Sequence, residues 1–112
     1  MLTITIDDEK FALNALLRQL KTIDPNGTHE GVLYVDELAD KLNKRTYDVA
    51  FIDIDLKSAN GISVTRVLSE KYPSMNIIIY TGHPEYKPEA LDLYVSGYLV
   101  KPAYEEDIKR AL

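Results

Sequence analysis

The nine residues Asp48-Val49-Ala50-Phe51-Ile52-Asp53-Ile54-Asp55-Leu56 constrain this chain more than any other stretch. Four apolar residues, Val49 to Ile52, stop on an acid, and a second acid follows two places on. A short apolar run bounded by polar residues reads as a strand of a parallel sheet buried on both faces. The residues after it, Lys57, Ser58, Ala59, Asn60 and Gly61, are turn formers. Asp53 therefore stands where a buried strand opens into a loop, and in open α/β sheets ligands collect at the carboxyl ends of strands. An ionised carboxylate there is costly unless something pairs with it, so the rest of the chain has to supply the partner.

A chain of 112 residues suits one domain, spanning residues 1–112, that buries its own core. Thirteen Lys and Arg against eighteen Asp and Glu argue against nucleic acid as a direct partner, since phosphate contacts need clustered cations. The same balance suits a site for a divalent cation. With no cysteine there is no disulfide framework, thiolate zinc site or cysteine nucleophile. Acids arrive at Asp7, too early for a secretory segment, and no apolar run approaches the roughly 20 residues of a membrane span. A soluble cytoplasmic domain is the expectation.

Strand and helix patterns alternate five times. Leu2–Ile6 is a short β-branched run, and from Lys10 to about Ile23 the leucines 13, 16, 17 and 20 keep helical spacing. Asp24-Pro25-Asn26-Gly27 stops that helix. A second strand is expected within His29–Tyr34, and Val35, Leu38, Ala39 and Leu42 mark one face of a second helix. After the third strand, Val64, Val67 and Leu68 line a helix ending near Tyr72-Pro73, and Met75–Tyr80 is the next buried run. Pro88 fits the first turn of a helix carrying Leu91 and Val95, with Gly97 placed to end it. Tyr98-Leu99-Val100 is a short strand, and Tyr104 to Leu112 is a last amphipathic helix. Such alternation implies a doubly wound α/β fold with a five-stranded parallel sheet, right-handed crossovers and strand order 2-1-3-4-5.

Four strands then end in polar residues: Asp7-Asp8, Asp53, Thr81 and Lys101. Parallel strands put these ends on one edge. Three carboxylates crowded there repel one another and call for a cation, and oxygen-only ligation suits Mg²⁺ better than zinc. A lysine ammonium and a threonine hydroxyl nearby are the groups that hold a small tetrahedral oxyanion. Together they describe phosphoryl transfer by positioning and charge neutralisation, with Asp53 as nucleophile.

The set Asp7-Asp8, Asp53, Thr81 and Tyr98-Leu99-Val100-Lys101-Pro102, in this order and on these elements, resembles the receiver domain of two-component response regulators over essentially the whole chain. The resemblance implies a flavodoxin-like (βα)5 fold in which Asp53 accepts a phosphoryl group from a sensor histidine kinase. It implies Mg²⁺ held by Asp7, Asp8, Asp53 and the main-chain carbonyl of Asp55. It further implies Thr81 bonding a phosphoryl oxygen, Lys101 pairing with the phosphoryl group, Tyr98 swinging inward as a switch, and a cis Lys101-Pro102 bond. The responding face would be the fourth helix, fifth strand and fifth helix, which controls an output domain or effector and commonly forms homodimers in the family. Tyr86, Lys87, Tyr94, Lys109 and Arg110 are its candidate contacts. Asp53-Ile54-Asp55-Leu56 and Thr81-Gly82-His83 are closest to receivers that precede LytTR-type DNA-binding domains. Two departures stand out. Lys57 occupies a position where most receivers have proline, which should loosen that loop, and Ala103-Tyr104 offers no Ser, Thr, Asp or Asn cap for the last helix.

Plainer readings stand beside these. Asp7-Asp8-Glu9 is also an ordinary helix start. Lys41, Lys44 and Arg45 read as a solvated helix end. His29 and His83 read as loop residues, His83 beside the phosphoryl site. Two other functions remain open at this stage. One is a pseudo-receiver that docks partners and is never phosphorylated. The other is a haloacid-dehalogenase-like phosphatase using Asp53 and Asp55, although its acid pair would come last in the chain rather than first. Otherwise the domain is not an enzyme beyond self-catalysed aspartyl phosphorylation and dephosphorylation. The last helix pattern reaches Leu112, so a stand-alone receiver and one cut from a longer regulator both stay open.

Overall fold

The computed structural model describes residues 1–57 and 59–112; Ser58, assigned from the sequence to the turn after the third strand, lies outside the described residues. Five strands, β1 (Leu2–Ile6), β2 (Thr28–Val32), β3 (Val49–Ile52), β4 (Asn76–Thr81) and β5 (Gly97–Val100), form one sheet in the order β2-β1-β3-β4-β5. Every neighbouring pair is parallel. Between them run α1 (Lys10–Ile23), α2 (Val35–Lys44), α3 (Gly61–Lys71) and α4 (Lys87–Asp92), and α5 (Glu105–Ala111) closes the fold. The doubly wound fold and strand order read from the alternation are what the structure has.

Strand parity divides the core in two, because successive side chains point to opposite faces. Ile4, Ile6, Ala50, Ile52, Ile77 and Ile79 meet Leu38 and Leu42 of α2 and Ile62 and Leu68 of α3 on one face. Val49, Phe51, Ile78 and Tyr80 meet Leu16 and Leu20 of α1 and Ile108 of α5 on the other. The central strands β1 and β3 are buried on both sides, as their unbroken apolar runs require.

Three local differences from the sequence expectation have physical causes. β2 runs from Thr28, not His29, and stops at Val32, because the Asp7 N–H donates to the Val32 carbonyl and Tyr34 already caps α2 in extended backbone. His29 is accordingly a strand residue with a buried ring rather than a loop residue. Its Nδ1 lies 2.9 Å from Thr3 Oγ1 and its Nε2 2.9 Å from the Asp24 carbonyl. The fourth helix, preceded by a 3-10 turn at Pro84–Tyr86, ends at Asp92, so Val95 packs on the core from outside it. Tyr94, with φ of 59°, takes the left-handed conformation at its end, and Gly97 opens β5 instead of terminating the helix. At α5 the missing cap is supplied in reverse, as Asp107 Oδ2 accepts from the Tyr104 N–H at 3.2 Å.

Lys41 and Arg45 are not merely a solvated helix end. Arg45 Nη2 pairs with Glu30 Oε2, Lys41 Nζ lies 3.8 Å from the same oxygen, and the buried Tyr47 hydroxyl donates to Glu30 Oε1. The Arg45 hydrogen bond holds the Glu30 carboxyl below its usual 4.5, against the upward push of burial. A carboxyl depressed in the folded state stabilises fully above its unfolded pKa, and that contribution fades as pH falls through the folded value. Glu30→Gln should therefore lower unfolding free energy at neutral pH by about 1 kcal/mol. The gap between variant and wild type, read by urea unfolding, should close in acid below the usual glutamate range.

Candidate functional site

β1, β3, β4 and β5 deliver their carboxyl ends to one edge. The Asp7 N–H donates to Val32, the Asp53 N–H to the Ile6 carbonyl at 3.1 Å, and the Lys101 N–H to the Thr81 carbonyl at 2.8 Å. The ladder thus extends one residue beyond each strand and holds Asp7, Asp53 and Lys101 in register with their neighbours. The Lys101 ammonium sits between the two acids, 2.6 Å from Asp7 Oδ2 and 3.0 Å from Asp53 Oδ2. Each carboxylate gives its other oxygen to backbone: Asp7 Oδ1 accepts from the Glu9 N–H at 2.9 Å and Asp53 Oδ1 from the Asp55 N–H at 3.1 Å. The Lys101-Pro102 bond is cis, as the resemblance implied.

Both acids are buried. Burial pushes the Asp7 carboxyl above its ordinary value, more than its bonds to Lys101 and Glu9 pull it down, and the charge of Asp53 adds to the rise. Burial alone would lower the Lys101 ammonium, but its hydrogen bonds to Asp7 and Asp53 outweigh that and raise it, so the lysine stays charged.

Asp8 departs from the expected convergence. Its Oδ2 accepts from the Lys57 N–H, and among the described residues no three acidic or histidine side chains stand together at metal-ligating spacing. Asp7 and Asp53 already share one ammonium, so a third carboxylate would meet net negative charge, while Lys57 offers it a backbone donor. A proline at position 57 would have no N–H to give. The substitution expected to loosen this loop instead tethers it to Asp8.

Thr81, at the end of β4, is fully buried and its Oγ1 has no hydrogen-bond partner among the described residues. Tyr98 of β5 is half-buried, packs against the core on the α2 and α3 face, and donates its hydroxyl to the His83 carbonyl, two residues beyond Thr81. His83 is a loop residue, as read. Its ring joins the β3 and β4 loops, with Nε2 3.3 Å from Asp55 Oδ2 and Nδ1 3.0 Å from Glu85 Oε1, and these bonds raise its pKa. Tyr86 stands edge-on to that ring and is half-buried, whereas Tyr94, Lys87, Lys109 and Arg110 are exposed.

One contributor was not visible as such in the sequence. Gly61 opens α3 directly against the phosphoacceptor candidate: a Cβ there would lie 2.2 Å from the Asp53 carbonyl oxygen and 2.5 Å from Ile54 Cα. The Gly61 N–H also donates to the Ile54 carbonyl at 2.9 Å. The Asn60-Gly61 pair reads as a turn, and only the crossing of α3 over β3 shows that a side chain is excluded.

Residues 3–112 match the family of response regulator receiver domains. The chain belongs to that family. The sensory transduction protein LytR of Staphylococcus epidermidis is 30% identical to this receiver over 112 residues, which is all of this chain and 44% of LytR. The chain therefore spans less than half the length of the curated relatives it matches. Among solved structures, TrrA of Thermotoga maritima, in complex with Mg²⁺-BeF, superposes with a TM-score of 0.85 at 21% identity, covering 99% of this chain and 98% of TrrA. A response regulator of Burkholderia pseudomallei with a phosphorylated aspartic acid, a calcium ion and citrate gives a TM-score of 0.87 at 24% identity, covering 99% of this chain and 65% of that protein. At such identities these two likenesses establish the receiver fold.

The donor set of this receiver fits the divalent ion that the family implies. It is made of oxygens only, and two carboxylates (Asp7 and Asp53) share one ammonium, which leaves an excess of negative charge for a hard cation. The same imbalance makes Lys101 structural as well. Lys101→Met should lower unfolding free energy by roughly 3 kcal/mol, because it leaves two buried carboxylates facing each other unpaired. Adding Asp53→Asn to that variant should recover part of the loss in denaturant unfolding, whereas independent sites would give additive losses.

Proposed function

We propose that this receiver is a phosphorylation-switched signalling module in which Asp53 accepts a phosphoryl group from a histidine kinase. The observation that carries this is the Lys101 ammonium bridging Asp7 and Asp53 at 2.6 and 3.0 Å. It pairs with a buried nucleophile and supplies positive charge where the phosphoryl oxygens would arrive. An Asp53 oxygen would bond to phosphorus as the phosphorus–nitrogen bond of the donor phosphohistidine breaks, the imidazole leaving. Lys101 would exchange the Asp53 oxygen for a phosphoryl oxygen, and the Thr81 hydroxyl, without a partner among the described residues, would donate to another. Asp7, Asp8, Asp53 and the Asp55 main-chain carbonyl would hold Mg²⁺, which neutralises charge on the transferred group.

The output would run through Thr81 and Tyr98. Thr81 drawn toward the phosphoryl group leaves space that the half-buried Tyr98 shares, and its hydroxyl is already anchored on the His83 carbonyl. A few kcal/mol of differential binding suffices to shift such a population. The α4-β5-α5 face would then present its exposed Lys87, Tyr94, Lys109 and Arg110 to a second copy or an output domain. Relatives called transcriptional regulatory proteins support an output in transcription.

The phosphatase reading is disfavoured by the family match and by the Asp55 carboxylate, which is exposed and turned to His83 rather than toward Asp53. Incubation with Mg²⁺ and acetyl phosphate should add the mass of one phosphoryl group to the intact protein, absent in Asp53→Asn. No addition would favour a docking module that works without phosphate, and steady turnover of a phosphate ester abolished by Asp55→Asn would restore the phosphatase.

A further inference from the structure

We propose that Tyr80 is a positioning residue for phosphoryl transfer: its ring holds the Lys101 ammonium at the place where the phosphoryl oxygens arrive. The inference rests on the reading of Asp53 as phosphoacceptor, and adds a residue that neither the motif nor the acids indicate.

An ammonium carries three donors. Two of those on Lys101 go to Asp7 and Asp53, and its third close partner is the face of Tyr80, with Nζ 5.4 Å from the ring centroid. That lies within the distance at which a cation is attracted by an aromatic quadrupole, and the attraction grows as water is excluded. Here both partners are largely out of water: the Tyr80 residue is 7% exposed and the Lys101 side chain 22%.

The ring is itself fixed. Tyr80 is the penultimate residue of β4, in register with Leu99 of β5, and packs with Phe51, Ile78, Ala103 and Ile108 on the α1 and α5 face. The next residue along, Thr81, accepts the Lys101 N–H on its carbonyl. Consecutive β4 residues therefore hold the lysine at both ends, the backbone through Thr81 and the ammonium through Tyr80. This matters at the chemical step. When the Asp53 oxygen becomes bonded to phosphorus, Lys101 has to change partner, and a flexible four-carbon stem would let it follow Asp7 away. A neutral ring that makes no competing ionic bond keeps the ammonium near Asp53 without adding to the negative charge. An aliphatic residue would fill the space but attract no cation.

The test compares Tyr80→Phe, Tyr80→Leu and Phe51→Leu. The last removes a fully buried ring from the same cluster, in β3, one strand farther from β5 than Tyr80. Two readouts are taken: the rate of Mg²⁺-dependent phosphorylation by acetyl phosphate, and the ring-current shifts of the Lys101 side-chain methylenes by NMR. Tyr80→Phe should keep both. Tyr80→Leu should lose the ring-current shift and slow phosphorylation by about three- to tenfold. Phe51→Leu should lower stability and leave rate and lysine shifts as in wild type. The proposal is overturned if Tyr80→Leu keeps the wild-type rate, or if Phe51→Leu slows phosphorylation as much as Tyr80→Leu does. It is also overturned if the Lys101 shifts do not respond to loss of the Tyr80 ring. Failure of the phosphoacceptor reading looks different: the wild-type protein then takes up no phosphoryl group, and the NMR comparison alone decides whether the ring holds the ammonium.

Discussion

Two buried carboxylates sharing one ammonium are the constraint around which this molecule is built. Asp7 and Asp53 come from adjacent central strands, so they lie side by side at the sheet edge and repel. The fifth strand, two positions away from β3 in the sheet, has to bring Lys101 across to them, and does so within 3.0 Å. Breaking a buried pair on one side leaves an uncompensated charge, which costs far more than the pair itself contributes. The site is consequently held in a state of incomplete neutralisation. Such a site is poor as a structural device and good as a receptor for a cation and an anion together.

The fold builds this arrangement from ordinary parallel pairing. Ladder hydrogen bonds run one residue past β1, β3 and β5, which fixes Asp7, Asp53 and Lys101 before their side chains meet. The constraint then spreads outward. Gly61 lets α3 start against the Asp53 carbonyl, and Thr81 is sealed beneath the β4 loop. Tyr98 ties that loop to the edge strand through the His83 carbonyl. Each of these contacts involves either the Asp53 segment or the β4 loop beside it. Under the proposed function, a change of charge at Asp53 would be felt first by the β4 loop and by the edge strand β5.

What the sequence made legible follows from how local each signal is. Val49 to Ile52 declare a doubly buried strand in four letters, and Asp53 declares its end, because burial on both faces leaves no polar alternation to confuse the period. The strand order and the meeting of Asp7, Asp53 and Lys101 then follow from topology alone. β2 was harder to bound, since an edge strand reading Thr-His-Glu-Gly-Val satisfies its polar residues through neighbours distant in sequence: His29 through Thr3, Glu30 through Arg45 and Tyr47. The fourth helix was overextended because Leu91 and Val95 keep helical spacing, while the left-handed turn at Tyr94, a residue that seldom adopts it, carries no mark in the sequence. Adjacency in the chain groups Asp8 with the other acids, but Lys57, 49 residues on, claims it. The close approach at Gly61 and the contact between Tyr80 and Lys101 depend on how elements cross, and no spacing along the chain encodes them.

The most direct test of the account is whether the acids at the sheet edge jointly take up a divalent cation. Titration of Mg²⁺ into the protein, followed in amide NMR spectra, should give saturable one-to-one binding. The shifts should concentrate at Asp7, Asp8, Asp53 to Lys57 and Lys101, and should disappear in Asp7→Asn. Binding that leaves these amides unmoved, or that persists unchanged in Asp7→Asn, would contradict it.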